Sequence, residues 1–396
     1  MSTQTSAPRP LWIGTYPVAG AGTPTGLGEG IWRVDLDVVT GALSGARQVA
    51  VTPSPSFVLA HPAGTVVYAA DESQVGAVTA FAVEPDGGLR PLATVASGGA
   101  YPCHLALDDE ARTLYVANYA SGTLAVLPLT ADGSFGPQVL EAGGPVQIFG
   151  HVGSGPDAER QEAPHAHFVA LAPGGRHVLV VDLGTDELRR YVRDPDSGLL
   201  AADGIAATFP AGAGPRHLVL APGAGGPAGA LDAAEPGIAY VVGELDGHVH
   251  VLAWDVPSAT GTLVASVPTQ AAAPGTGSPT GLRLSRTGAA PEGPAVVPSL
   301  GAHITLDGDR LLVGVRGADV LAEHRIDPEA GRVPQHRADR PLPGSWPRHH
   351  AVLAGWTLVA QQIAGGVVVL AADGTVAGHA DVPAPTCITP VVAVGA

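Results

Sequence analysis

Histidine, arginine and carboxylate residues recur in this sequence at two kinds of position beside short apolar runs. His167 stands at the start of one run, residues 168–171, and Asp182 directly follows the next, residues 178–181. Imidazole exchanges protons near neutral pH, and guanidinium groups hold carboxylate, phosphate or oxyanion oxygens. Such groups, gathered in one place, would activate a water molecule and stabilise an oxyanion at a carbonyl group.

The same arrangement occurs six times along the chain, with different polar residues at the two positions. The starts of the runs carry His104, His165, His167, Arg216, His217, His303, Arg348, His349 and His350. The ends of the following runs carry Glu72, Asn118, Asp182, Glu244 and Arg316. A single histidine in such a place is usually a hydrogen-bonded structural residue. Recurrence at one repeat position instead favours a shared site.

The elements that must position these residues are short β-strands. Valine is frequent, and the 54 glycines and 37 prolines supply many turns. After each pair of runs come a third and a fourth strand-like run, at a spacing of about 50 residues that is typical of β-propeller blades. The spacing is stretched by an insert at 222–237 and a Pro/Gly-rich span at 270–297.

The two ends of the chain complete a seventh unit. Residues 11–16, 30–36 and 46–51 supply its second, third and fourth strands, and residues 387–392 supply its first. The sequence therefore predicts an all-β, seven-bladed β-propeller of four-stranded antiparallel blades, whose ring is closed by the N- and C-terminal strands. Residues 11–396 would form this single domain, and residues 1–10 would form a disordered tail.

In an up-and-down blade, the start of strand one and the end of strand two lie at the same end. If strand one is innermost, both positions surround the mouth of the central channel, where closed β architectures favour ligand sites. The polar residues of all the units are therefore predicted to converge there.

A set of short motifs runs through nearly the whole chain. They are Gly14-Thr15-Tyr16, Pro102-Cys103-His104, Ala117-Asn118-Tyr119, Pro164-His165-Ala166-His167, Asp182-Leu183-Gly184-Thr185-Asp186, Gly214-Pro215-Arg216-His217 and Glu244-Leu245. Together they resemble the seven-bladed β-propeller lactonases, the 6-phosphogluconolactonase-like family that also includes fungal carboxymuconate cyclases. The resemblance implies a hydrolase of carbohydrate metabolism that opens a sugar-acid or related lactone, without a metal or other cofactor.

The functional residues of that family correspond here to His167, Arg216, Glu244 and Arg316. His167 would take a proton from water, with His165 or His104 as substitutes. The two arginines would stabilise the oxyanion or hold a substrate carboxylate or phosphate, and Glu244 would orient them or move a proton itself. The residues predicted to bind substrate are Glu72, His104, Asn118, His165, Asp182, His217, His303, Arg348 and His349.

The sequence departs from the family pattern at two places. Residues 314–316 read Gly-Val-Arg where the family usually has Ser-Asn-Arg, and His303 with His349 and His350 makes the chain unusually rich in histidine. Both departures concern the substrate more than the fold. Alternatives are therefore a cyclase or isomerase acting on lactone or enol intermediates of specialised metabolism, or a binding propeller without catalysis.

Two other kinds of chemistry receive less support. His165, His167 and Asp182 are of types that ligate zinc or manganese, but residues i and i+2 share a face only on a regular strand. A Cys103–His104 nucleophile pair is not expected, because adjacent strand residues point to opposite faces.

The overall composition limits the partners and the compartment. The net charge of −16 at pH 7 argues against nucleic acid and anionic membranes as partners. The chain has no lysine, so its 20 Lys and Arg residues are all arginines. No apolar run reaches the length of a membrane span, and residues 1–10 carry no secretory pattern. Cys103 and Cys387 form no disulfide framework, so a cytoplasmic protein is expected. The family resemblance implies a small-molecule lactone or carboxylate substrate. The sequence does not indicate the oligomeric state.

Overall fold

The computed structural model describes residues 8–17, 30–108, 112–221, 237–271, 299–328 and 331–391. These residues form 28 strands and one short helix. The strands assemble into seven four-stranded sheets with antiparallel neighbours. The predicted seven-bladed β-propeller is thereby confirmed.

The strands follow one another blade by blade. In chain order they are β1 (Arg9–Thr15), β2 (Ile31–Leu36) and β3 (Leu43–Ala50) of blade 7; β4 (Pro55–Ala60), β5 (Val66–Asp71), β6 (Ala77–Val83) and β7 (Leu89–Ala96) of blade 1; β8 (Pro102–Leu107), β9 (Thr113–Asn118), β10 (Thr123–Pro128) and β11 (Gln147–Phe149) of blade 2; β12 (Ala166–Leu171), β13 (His177–Asp182), β14 (Glu187–Arg193) and β15 (Leu200–Thr208) of blade 3; β16 (Pro215–Ala221), β17 (Gly237–Gly243), β18 (His248–Asp255) and β19 (Thr260–Pro268) of blade 4; β20 (Leu300–Asp307), β21 (Arg310–Arg316), β22 (Val320–Arg325) and β23 (Gln335–Pro341) of blade 5; β24 (Pro347–Leu353), β25 (Trp356–Gln361), β26 (Gly366–Leu370) and β27 (Val376–Asp381) of blade 6; and β28 (Pro385–Pro390) of blade 7.

The first strands β4, β8, β12, β16, β20, β24 and β28 are innermost, because each contacts the first strands of both neighbouring blades. One cluster of buried apolar side chains fills each of the seven junctions between blades. The second strands lie between two such clusters, which is why β9 and β13 are buried along their whole length. The fourth strands are outermost and largely exposed, and none of the residues of β19 is fully buried.

Blade 7 joins the two ends of the chain, as predicted. Strand β28 pairs with β1, from Leu11 opposite Pro390 to Thr15 opposite Pro385. The predicted boundary of the tail is corrected, because Arg9 and Pro10 already pair with β2. Residues 1–7 lie outside the described residues, as do most of the two predicted inserts.

One element was not expected from the sequence. Helix α1 (Pro137–Ala142) precedes β11 and reduces that outer strand to three residues. Pro137 at its first turn and the left-handed Gly143 at its end are the usual signals of a helix start and stop. Six residues are too few to show a helical apolar period, so the sequence pattern predicts strands throughout this blade. No helix in the described residues is long and apolar enough to cross a membrane.

Candidate active site

Every innermost strand contains a β-bulge near its start. The bulge residue is the second residue of the strand in six blades and the third residue in β20. In β16, the register passes from Pro215 directly to His217, so Arg216 is the extra residue. The extra residues of the seven blades are Ser56, Cys103, His167, Arg216, Ala302, Arg348 and Thr386. A bulge redirects a side chain, and bulges are frequent next to active sites. Here Arg216 and His217 both make contacts inside the channel, although they are adjacent.

The residues that follow the bulges form a ring of aromatic side chains within the channel. Neighbouring ring centroids lie 4.0–5.1 Å apart from Phe57 round to His349, and 6.4 Å separate His349 from Phe57. The members of this ring are Phe57, His104, Phe168, His217, His303 and His349. Because the strands run inward from the mouth, the ring lies deeper than the bulge residues. Four of the residues predicted to bind substrate therefore belong to this deeper layer.

Glu244 is the centre of the polar layer above that ring. It follows β17 directly, and its Oε2 atom lies 2.8 Å from Nε of Arg216 and 2.8 Å from Nη2 of Arg316. Its Oε1 atom lies 2.6 Å from Nη2 of Arg160. Glu244 is 3% exposed. Burial raises the pKa of this carboxyl, but the arginines, Arg316 first, outweigh burial and hold its pKa well below the ordinary range.

Three guanidiniums around one carboxylate leave an excess of positive charge. Burial and then the neighbouring Arg316 lower the pKa of Arg216 to about 9, against the attraction of Glu244. Burial also lowers the pKa of Arg316, again against Glu244. An anion in the mouth would relieve this field. The two arginines are held in place because Nη1 of Arg216 donates to Ala302 O and Nη2 of Arg316 donates to Gly301 O.

His167 lies beside this centre as the bulge residue of β12. Its ring centroid is 5.3 Å from that of His217 and 5.4 Å from that of Tyr119. Burial, and then the charge of Arg216, lower its pKa well below 6.5. The imidazole is therefore neutral at pH 7 and can accept a proton. Nδ1 of its ring lies 4.0 Å from Sγ of Cys103.

A directional hydrogen-bond chain fixes the tautomers of two further histidines. Arg216 can only donate, so Nε2 of His217, 3.3 Å from Nη1, is the acceptor. The proton of His217 then lies on Nδ1, which donates to Nδ1 of His303 over 2.8 Å. His303 consequently carries its proton on Nε2. Burial lowers the pKa of both histidines well below 6.5, so the pair is neutral.

Arg348 forms a second polar group in the same layer. Its Nη2 atom donates to the Tyr16 hydroxyl over 2.6 Å and lies 3.5 Å from Oε1 of Glu72. Burial opposes the charge of Arg348, but Tyr16 and Glu72 raise its pKa overall. The predicted binding residues Glu72 and Arg348 are thus brought together.

Three predicted binding residues support loops instead. Asn118 is fully buried, and its Nδ2 donates to Ser97 O and Thr123 Oγ1. Asp182 accepts the backbone N–H groups of His165 and Thr185. The His165 ring contacts Tyr119 O, over 3.0 Å, and Glu162 rather than Asp182.

The alternative chemistries can be compared with these contacts. No group of three or more His, Cys, Asp or Glu residues among those described could hold a metal ion. The premise used against a Cys103–His104 pair, that neighbours point apart, is wrong at a bulge. Burial, however, raises the pKa of Cys103, so the thiol is not activated. Both cysteines are free, as expected.

Sequence reasoning missed Arg160 and undervalued Tyr16. Arg160 lies in the connection between β11 and β12, where no repeat position marks it. It is nevertheless the only arginine in the polar stretch 150–165 that leads into the Pro164–His167 motif. Tyr16 belongs to the Gly14-Thr15-Tyr16 motif, which indicated the family and its fold but did not indicate a role for Tyr16 in the site.

The fold and the site define a closed seven-bladed propeller with an imidazole, guanidinium and carboxylate cluster at one mouth. A family model described as "Lactonase, 7-bladed beta-propeller" matches residues 10–390. The chain belongs to this lactonase family, as the sequence motifs indicated. It is similar to the 6-phosphogluconolactonase of Bacillus subtilis strain 168, with 28% identity over 95% of this chain and 97% of that protein. Among solved structures it is similar to the periplasmic gluconolactonase PpgL of Pseudomonas aeruginosa, with 26% identity, a TM-score of 0.76, and coverage of 97% and 99% of the two chains.

Proposed function

We propose that this protein hydrolyses a sugar-acid lactone at the channel mouth, with His167 as general base and Arg216 as the main oxyanion-stabilising group. The observation that carries the proposal is the pairing of a neutral, buried imidazole with a cluster of three guanidiniums around Glu244. The lactonase family and its 6-phosphogluconolactonase and gluconolactonase relatives support the same reaction class.

In the proposed reaction, Nε2 of His167 takes a proton from a water molecule whose oxygen attacks the lactone carbonyl carbon. The carbonyl oxygen becomes an oxyanion, and Arg216 and Arg316 stabilise its charge without solvent reorganisation. The ring C–O bond then breaks, and His167 returns the proton to the departing ring oxygen. The product is an open-chain hydroxy acid that loses its acidic proton to solvent.

Glu244 is proposed to act as an anchor rather than as an acid or base. Three arginines surround its two oxygens, and they keep its pKa far below neutrality. It would therefore stay ionised throughout and align the guanidiniums. The reaction as written needs only groups of this chain and water, and the free thiols favour a reducing, cytoplasmic setting.

A comparison of substrates tests the proposal. We expect hydrolysis of 6-phosphogluconolactone or glucono-δ-lactone, measured by proton release at pH 6.5, and a fall of about 10²–10⁴-fold in kcat for His167→Gln, because a general base contributes that much. Muconolactones in the same assay test the cyclase and isomerase alternatives. The proposed hydrolysis is wrong if no sugar lactone is opened, or if folded His167→Gln retains wild-type turnover.

A further inference from the structure

Arg160 differs from the other two arginines at Glu244 in where it comes from and how it is held. Arg216 lies on β16 and Arg316 on β21, whereas Arg160 extends from the connection between β11 and β12. The side chain of Arg160 is 28% exposed, against 2% and 6% for the other two. It is therefore the guanidinium of the cluster that an arriving ligand meets first.

Arg160 also has donors that no other described group uses. Both of its described side-chain bonds, to Oε1 of Glu244 and to the Tyr119 hydroxyl at 3.4 Å, use Nη2. Its Nε and Nη1 atoms have no partner in the described part of the chain. Arg316 also uses only Nη2, for Glu244 and Gly301 O, but its Nε atom is buried and its side chain is only 6% exposed. A guanidinium with two free N–H sites in a fixed plane suits bidentate binding of a phosphate or carboxylate.

The backbone around Arg160 is fixed by its neighbours. Gln161 is fully buried, and its Nε2 donates to Leu183 O over 2.9 Å and to Oδ1 of Asp186 over 2.8 Å. The Asp157 carboxylate accepts the N–H of Arg160 itself. The same connection packs closely against the loop after β13 at Gly184, where a side chain would not fit: a Cβ on Gly184 would lie 1.9 Å from Ala163 O. Arg160 is thus presented by a rigid connection.

We propose that Arg160 determines substrate specificity by binding an anionic substituent, a phosphate ester, outside the lactone ring. Arg216 and Arg316 stay with the reacting carbonyl group, deeper in the mouth. Gln161 acts as a positioning residue for Arg160. This assignment rests on the proposed lactone hydrolysis, but it concerns binding and can be measured without turnover.

The test compares the binding of 6-phosphogluconate with that of gluconate by calorimetry at fixed ionic strength. Wild-type protein should prefer the phosphorylated acid, and Arg160→Gln should reduce that preference by about 10- to 100-fold, the value of a charge-assisted bidentate contact. The matched control is Arg189→Gln, since Arg189 has an equally short ion pair of 2.6 Å with Glu187 and similar exposure, 21%. This control should retain the wild-type preference.

Two outcomes would overturn the assignment: a wild-type protein that binds both acids equally, or an Arg160→Gln variant that keeps the full preference. Arg160→Lys should give an intermediate preference, because it keeps the charge and loses the planar fork. Failure of the lactonase proposal is a separate result, namely absence of lactone opening by protein that still discriminates between the two acids.

Discussion

Replacing Glu244 by glutamine should destabilise the protein strongly, since the change removes one negative charge from among three arginines and keeps the side-chain volume. Removing one partner of a buried ion pair costs about 3–5 kcal/mol, because the remaining charge is left uncompensated. Glu244 is 3% exposed, with Arg216 at 2% and Arg316 at 5%, so solvent compensates little. We therefore expect Glu244→Gln to lose about 3–5 kcal/mol of unfolding free energy.

The matched control is Glu187→Gln, which removes the same charge from an ion pair with Arg189. Both side chains of that pair are about one-fifth exposed, at 20% and 21%. Solvent screening limits such pairs to about 0–1 kcal/mol. Urea unfolding at pH 7, followed by tryptophan fluorescence, compares the two variants with the wild type.

Anions and pH give two further readouts for the same variant. Phosphate should stabilise Glu244→Gln more than the wild type, because the variant has the larger excess of positive charge; at 100 times the Kd of the variant, binding stabilises the variant by about 2.7 kcal/mol. The folded-state pKa of Glu244 lies below its ordinary value of 4.5, so its stabilisation is present above pH 4.5 and is lost as the pH falls through the folded-state value. The difference between wild type and variant should therefore be constant from pH 7 to about 5 and shrink in stronger acid. The reasoning would be refuted if Glu244→Gln unfolds like Glu187→Gln and phosphate stabilises it no more than the wild type.

Two other predictions concern the reaction. The general base must be deprotonated to act, and the pKa of His167 lies well below 6.5. The value of kcat/KM for lactone hydrolysis should therefore stay level as the pH falls through 6.5 and decline only in stronger acid. A decline centred at pH 6.5 or above in the pH profile would contradict this. Burial raises the pKa of the Cys103 thiol, so native protein should resist iodoacetamide at pH 8 and Cys103→Ala should retain its kcat. Loss of turnover in folded Cys103→Ala, together with rapid alkylation of the wild type, would contradict this.

The strand framework was predictable because its signal is repeated. Valine-rich pairs of runs at a nearly constant spacing identified the blades, and their polar ends identified one mouth. His167, Arg216, Glu244 and Arg316 are brought together there, since position within the repeat determines position in space. The roles assigned to them stay predictions.

The bulges could not be predicted from apolar alternation, because a bulge alters which way a side chain points without changing residue type. A trace of them exists in the sequence: proline stands directly before the bulge residue in five blades, at Pro55, Pro102, Pro215, Pro347 and Pro385. For Asn118 and Asp182, the position was predictable but the contacts of the side chain were not. Their positions predicted the mouth, but whether a polar side chain faces a channel or a neighbouring loop depends on hydrogen bonds that no periodicity encodes. Arg160 lies on an irregular connection and has no repeat position at all.

The pairing of β28 with β1 also affects how the protein is made. About 330 residues separate the end of β3 from the start of β28. At 5–20 residues per second, a ribosome needs roughly 15 to 70 seconds to deliver that last strand. Until then blade 7 lacks its innermost strand, and the unpaired edge of β1 is open to pairing with other nascent chains. Synthesis rate and chaperone protection during this interval are therefore expected to govern the yield of folded protein.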